Sequence, residues 1–486
     1  MTPEHHSPLH RWRIIGLVLV VMGAVALAAT GGESAPPTPP APAALAGAPD
    51  AESSAWYCTG QTAANGSVPG FLVLTNTTAR PVTTSIATVS DTGAQAQAAV
   101  TVPPRTVLTP SLPAPASGAW EAQTVVVSGG GVTVSQVAHN TLGWSQSPCL
   151  SSTSAHWYFP GGTTTGGDQL AVSLFNPTST PVVVDLSFVT PTGTLHPINF
   201  QGIVVEPGQV AAENVASEVQ DAPTVSTVVS TRTGRVVAAE VQQFEGTTDG
   251  LALVPGAPTP QSSWFVPLAQ ESPGGTSEID VFNPGSSAAS VTVRLRLTSG
   301  PLAPLTAQVG PGSTWALATS AQTRIPEGEA YSAEISTTGA GVVVGRTVLR
   351  PGATQSPKAG MTLAVEGLSA TWSSGRWVVP PPGTSGTLAV AGAAPAYLAL
   401  QNTSGVPETF RATAESATAS GTVATGTLGA GAMVVVDGAP LAAAGLDQIA
   451  VQSSGPMAMS EDATPSGGIG VVSTTGIALA PVVNGG

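Results

Sequence analysis

The sequence predicts an all-β protein: four tandem immunoglobulin-like β-sandwich repeats that follow one N-terminal transmembrane helix. Three observations carry the expectation. A Trp, Asn, Gly pattern recurs four times along the chain, the residues between its marks alternate apolar and polar, and an apolar run at residues 14–29 follows Arg11 and Arg13.

The second copy is the clearest. Trp157 is followed 19 residues later by Asn176-Pro177 and 17 further on by Gly193; Trp264, Asn283-Pro284 and Gly300 repeat both spacings. Trp56, Asn76-Thr77 and Gly93 are 20 and 17 apart, and the looser fourth copy runs Trp377, Asn402-Thr403, Gly421 with a Gly/Ala-rich insertion. Each copy then shows a second turn mark (Pro103-Pro104, Pro207-Gly208, Pro311-Gly312, Gly429-Ala430) and a hairpin signal at Gly130, Gly234, Gly339 or Gly455. Trp-to-Trp steps of 101, 107 and 113 residues match one small domain per copy, far above solenoid periods.

Between the marks the period is two. Val182, Val184, Leu186 and Phe188 fall on one side of a strand, with Asp185 and Ser187 on the other. In the third copy Val291, Val293, Leu295 and Leu297 oppose Thr292, Arg294, Arg296 and Thr298. A one-residue slip would bury two arginines, so the register is strongly specified. About seven short strands per copy, with frequent turn signals and no helical period, fit a sandwich. The competing architecture is a closed ring in which each copy gives two four-stranded blades.

At the N-terminus, basic residues before an apolar run place residues 1–13 in the cytoplasm and residues 14–31 in the bilayer, as an anchor or a cleaved signal; Ala26-Leu27-Ala28 has the small-x-small form of a cleavage site. Residues 32–55 are a Pro/Ala-rich linker that, as polyproline II, would reach up to roughly 70 Å. The copies then occupy 56–155, 156–262, 263–375 and 376–486. Short junctions between them imply end-to-end packing of neighbours.

Charged residues make up only 9% of the chain, against about 25% in an average soluble domain, as suits an exported β module. A net charge of −14 without a basic stripe excludes nucleic acid as partner. Cys58 and Cys149, the only cysteines, bracket the first copy and are expected to form a disulfide, which an exported position preserves; two free buried thiols are the alternative.

Motifs for chemistry are sparse. His139, His156 and His196 lie apart without ligand spacing, and no metal or cofactor is expected. There is no GxSxG elbow and no phosphate-cradling glycine loop. Glu278 with Asp280, and Glu461 with Asp462, are the candidate acid pairs for sugar hydrolysis, but a solvated strand face explains the first more simply. Trp56, Trp157, Trp264 and Trp377, with apolar companions, read as core or interdomain plugs, whereas Trp120 and Trp144, confined to the first copy, are the candidates for exposed ligand contact. Asn76, Asn176, Asn283 and Asn402 are expected to end a strand and bond their own turns.

The stretch WYFPGG…LAVSLFNPTSTPVVVDLSFVTPTGT…VEPGQ resembles the WYF…NP repeats of exported bacterial proteins, and the whole layout resembles the actinobacterial family of unknown function 5719 over residues 56–486. Related repeats end in a hydrophobic run with Glu-Arg; here the matching places hold Glu240 in AAEVQQ and Arg346 in VVGRTV, so no shared charged pair carries over. The resemblance implies β repeats and an envelope location, without catalytic residues. The sequence therefore points to a non-enzymatic, membrane-anchored scaffold or interaction module of the cell envelope, with an unidentified protein or glycan partner; a glycan-binding accessory to polysaccharide assembly is the second expectation.

Overall fold

The computed structural model describes residues 45–46, 51–245, 248–270, 275–350, 358–363, 365–366, 376–379, 397–437, 448–463, 472–475 and 477–479. Among them the chain is all-β, with multiple antiparallel sheets and only single-turn 3-10 helices. None of the described helices is long and apolar enough to cross a membrane, and the expected span at 14–31 lies outside the described residues.

Each copy contributes strands to two sheets. In the first copy one sheet runs Ser54–Thr62, Trp120–Val127, Val82–Ser90, Gln95–Val102, and the other Val107–Leu108, Gly70–Asn76, Val132–His139, Trp144–Pro148. The second copy repeats the order as His156–Phe159, Ser226–Thr233, Val182–Thr190, the last flanked by Gly193–Leu195 and Ile203–Val205, beside Gln209–Asn214, Gln169–Asn176, Val237–Glu245, Asp249–Pro255. Two-residue alternation explains which face each strand buries. Val182, Val184, Leu186 and Phe188 are sealed against Trp157, Leu170 and Leu174, and Val291, Val293 and Leu295 against Trp264, Ile279 and Val281. Each such side chain contributes about 1.5–3 kcal/mol by leaving water. Asp185, on the opposite face, pairs with Arg232 at 2.7 Å.

The copies do not simply follow one another end to end. The second sheets of copies 2 and 3 merge into one eight-stranded sheet through a parallel pair, Asp249 opposite Lys358 and Gly250 opposite Ala359. The strands that come last in the second sheet of each copy meet: Trp144–Pro148 lies against Asp249–Pro255 and Val472–Thr475, and Lys358–Leu363 touches the same two. Ser145 accepts the Leu253 N–H at 2.8 Å across the first of these seams. Copy 4 also reaches copy 1 where Gln448 donates to the Asn76 carbonyl at 3.3 Å. Within the expected linker, Leu45–Ala46 pairs in parallel with Ile477–Leu479, and the first long strand already starts at Ser54.

Cys58 and Cys149 form the disulfide, with Cα atoms 4.8 Å apart. Cys58 belongs to the first sheet and Cys149 directly follows the last strand of the second, so the bridge ties both layers of copy 1 inside its core. It closes a loop of 91 residues, which in the chain-entropy model stabilises by about 4–5 kcal/mol. Reduction under native conditions is expected to lower the denaturant midpoint accordingly, as followed by tryptophan fluorescence, and Cys58→Ala/Cys149→Ala is expected to remove that sensitivity to reductant.

Candidate functional site

The four repeat asparagines occupy one environment. Each is fully buried, and each ends a strand where the chain turns toward the other sheet. The Asn283 amide nitrogen lies 2.8, 3.0 and 3.0 Å from the carbonyls of Ser287, Val309 and Gly310, while its oxygen accepts the Gly285 N–H at 2.9 Å. Asn402 makes the same set with Val406, Leu428, Gly429 and Ser404, and Asn76 with Arg80, Val102, Pro103 and Thr78. Asn176 reaches Thr180 and Val205 and accepts from Thr178. Asparagine is required because the site needs two N–H donors and one acceptor on a short side chain.

The indole N–H of the repeat tryptophan is not satisfied alike in every copy. Trp157 and Trp264 donate their indole N–H groups to the carbonyls of Val236 and Val342, at 2.9 and 2.7 Å. In copy 1 the Trp56 indole is left without a partner, while Thr77 gives both its N–H and its hydroxyl to the Gly131 carbonyl, one residue before the counterpart of Val236. Thr403 likewise donates its N–H to Pro456, and the side chain of Trp377 lies outside the described residues. Trp56, Trp157 and Trp264 are core residues.

The candidate ligand tryptophans are not exposed. Trp144 is 7% exposed, stacks on His139 with ring centroids 4.9 Å apart, and meets Phe71 edge-on. Trp120 is half-buried and packs against two apolar clusters, each of which joins residues of copies 1 and 2. Packing takes up the Trp144 ring, and Trp120 lies half-buried between copies rather than as a free platform. His139 is pushed below the usual imidazole range by burial, His156 bonds Ser230 on the surface, and His196 is exposed. Among the described residues, no three His, Cys, Asp or Glu side chains come together as metal ligands.

The acid pair Glu278 and Asp280 also differs from expectation, because its face is not solvated. Asp280 is 2% exposed and lies against Gly161 of copy 2; a Cβ there would stand 2.3 Å from its Oδ2, so glycine alone admits the approach. Nearby, Ser226 accepts the Gly161 N–H at 3.2 Å and bonds Thr314 at 2.7 Å. Burial, and then the charge and hydrogen bond of Glu278, push Asp280 up to about 8, and burial raises Glu278 as well. With Asp280 sealed from solvent against Gly161, the pair does not present two carboxyl groups on either side of a sugar, so the geometry does not suit glycoside hydrolysis. The second acid pair, Glu461 with Asp462, has its side chains outside the described residues. One acid that sequence reasoning left without a role is also sealed: Glu240 inside copy 2 accepts from Thr227 at 2.6 Å, and burial pushes it up to about 8. Its only signal in the sequence was its place at an inward position of a strand.

Two outcomes follow. Asn283→Asp, which replaces both donors by a second acceptor facing three carbonyls, is expected to cost about 3–5 kcal/mol in a urea titration. Glu240 and Asp280 hold protons more tightly folded than unfolded, so their stabilising effect is complete below about pH 4 and is lost as pH climbs toward about 8. The urea midpoint is therefore expected to fall between about pH 5 and pH 8.5, and Glu240→Gln/Asp280→Asn to flatten that dependence.

Comparison with known proteins adds little about activity. A crystal structure titled Thermotoga maritima 1070 aligns with 22% of this chain and 95% of its own, at 18% identity and a TM-score of 0.20. A tetra-tandem repeat from the extending region of a large adhesion protein aligns with 88% of this chain and 99% of its own, at 12% identity and a TM-score of 0.10. At these scores neither likeness bears on function. A search of curated proteins finds no match. A family model matches residues 133–439, more than half of the 486-residue chain, and the chain belongs to the family of unknown function DUF5719.

Proposed function

We propose that this protein is a membrane-anchored, extracytoplasmic scaffold or interaction module of the bacterial cell envelope and that it works without catalysis. The buried Cys58–Cys149 bridge carries the reading, because a disulfide that links both layers of a core belongs to an oxidising compartment. The basic-then-apolar order of residues 11–29 supports export through the same N-terminal segment that would hold the chain in the bilayer. We further read each copy as one immunoglobulin-like sandwich. Support comes from the apolar core that each copy encloses between its two sheets, those of copies 2 and 3 joined at the edge by a few residues of the copy before, and from the recurrent asparagine bonds. The meeting of the four last strands favours copies arranged around a common centre over a linear string.

Glycan binding is the second reading, favoured by one feature. A shallow cleft of about 500 Å³ crosses the outer face of copy 4, lined by Thr409, Arg411, Thr425, Thr427, Gln452 and Ser454. Its polar hydroxyl and guanidinium lining suits sugar hydroxyls or a sugar carboxylate. A glycan array with the purified chain tests it, and Arg411→Ala is expected to abolish any hit that uses this face.

The scaffold reading is tested in cells. The full chain is expected to remain in carbonate-washed membranes, to be cut by protease added outside intact spheroplasts, and to react with a thiol reagent only after reduction. A chain found in the soluble cytosolic fraction with two reactive thiols would defeat it.

A further inference from the structure

Strands at the rim of a sheet carry unpaired backbone N–H and C=O groups, and proteins blunt such edges with prolines, bulges or charges. Three copies do so at equivalent places. In copy 2 the rim is broken into Gly193–Leu195 and Ile203–Val205 by Pro197 and a 3-10 turn at Ile198–Phe200. In copy 3 it is broken by Pro301 and Pro304 between Gly300–Pro301 and Leu305–Val309. In copy 4, Ser420–Leu428 is continuous but bulged, its register shifting between Ala412 and Thr413 of the neighbouring strand.

Copy 1 uses none of these devices. Gln95–Val102 pairs with Val82–Val89 through eight successive residues without a shift, and it contains no proline, no glycine and no charge. It ends its sheet, and Gln95, Gln97, Ala99 and Thr101 are exposed.

We propose that this rim pairs with the same strand of a second copy of the chain, antiparallel about a two-fold axis, to join two four-stranded sheets into one of eight. The sequence is compatible with itself in that arrangement. With Ala98 facing its own symmetry mate, Gln97 faces Ala99, Gln95 faces Thr101 and Ala96 faces Val100, so no like charges meet and no large side chain obstructs the pairing. Neutrality matters in a chain of net charge −14, whose overall charge opposes the approach of a second copy. Beyond the strand the same register brings the hairpin carrying Asp91 toward the exposed Arg105 of the other copy, at both ends of the pair. Opposite charges thus flank a neutral centre.

The full chain, purified in detergent, is measured by light scattering coupled to gel filtration at micromolar concentration. Wild type is expected at twice the monomer mass, and Gln97→Lys/Ala99→Lys, which sets lysines opposite each other across the axis, at half of that. Ala98→Cys is expected to give a reducible covalent dimer under mild oxidation, because residues facing each other across an antiparallel pair have Cβ atoms about 4.5–5.5 Å apart. An unchanged circular dichroism spectrum and an intact Cys58–Cys149 bridge confirm that the lysine variant folds. A monomeric wild type would overturn the proposal, and so would a dimer that survives the two lysines.

Discussion

A primary amide sealed from water at the end of one strand in each copy is the constraint on which the fold rests. Asn76, Asn176, Asn283 and Asn402 each hold a turn and the distant return of the chain to one point. The carbonyls they satisfy lie where the backbone leaves one layer for the other, beyond the reach of a sheet ladder. Without that amide, several buried acceptors would lose their partners together, and the two layers could not close over their apolar faces. Trp56, Trp157 and Trp264 complete the core of their copies from the opposite sheet.

On this common frame the copies have diverged at the seams. The position three residues before each repeat asparagine is Ser173 in copy 2, where it bonds Thr59 of copy 1 at 2.6 Å, and Asp280 in copy 3, where it meets Gly161 of copy 2. In copy 4 it is Ala399, packed with Met433 against Ala330 of copy 3. Glu240 and Arg346 likewise occupy matching places in copies 2 and 3, and both are buried. Each seam therefore has its own chemistry, which suits copies with fixed neighbours better than interchangeable beads.

The repeat, the period-two strands, their register and the disulfide were legible because each is written in local spacing or in residue type. The seams were not. Trp144 has no repeat counterpart and therefore looked free, yet packing around His139 and Phe71 buries it. Glu278 and Asp280 alternate just as a wet strand face does, and nothing near them in sequence announces that Gly161, more than a hundred residues earlier, covers that face. Alternation tells which residues share a side, but not whether that side meets water or another copy.

The convergence of the four last strands has a consequence for how such a gene can evolve. In an open array, unequal recombination can add or delete a unit, and the new end simply takes the place of the old one. Here copy 1 touches copy 4 as well as copy 2, so a fifth unit would have to be wedged into a filled circuit, and a loss would leave a gap with two bare flanks. Unit number is then held by geometry, and change is channelled into substitutions within units.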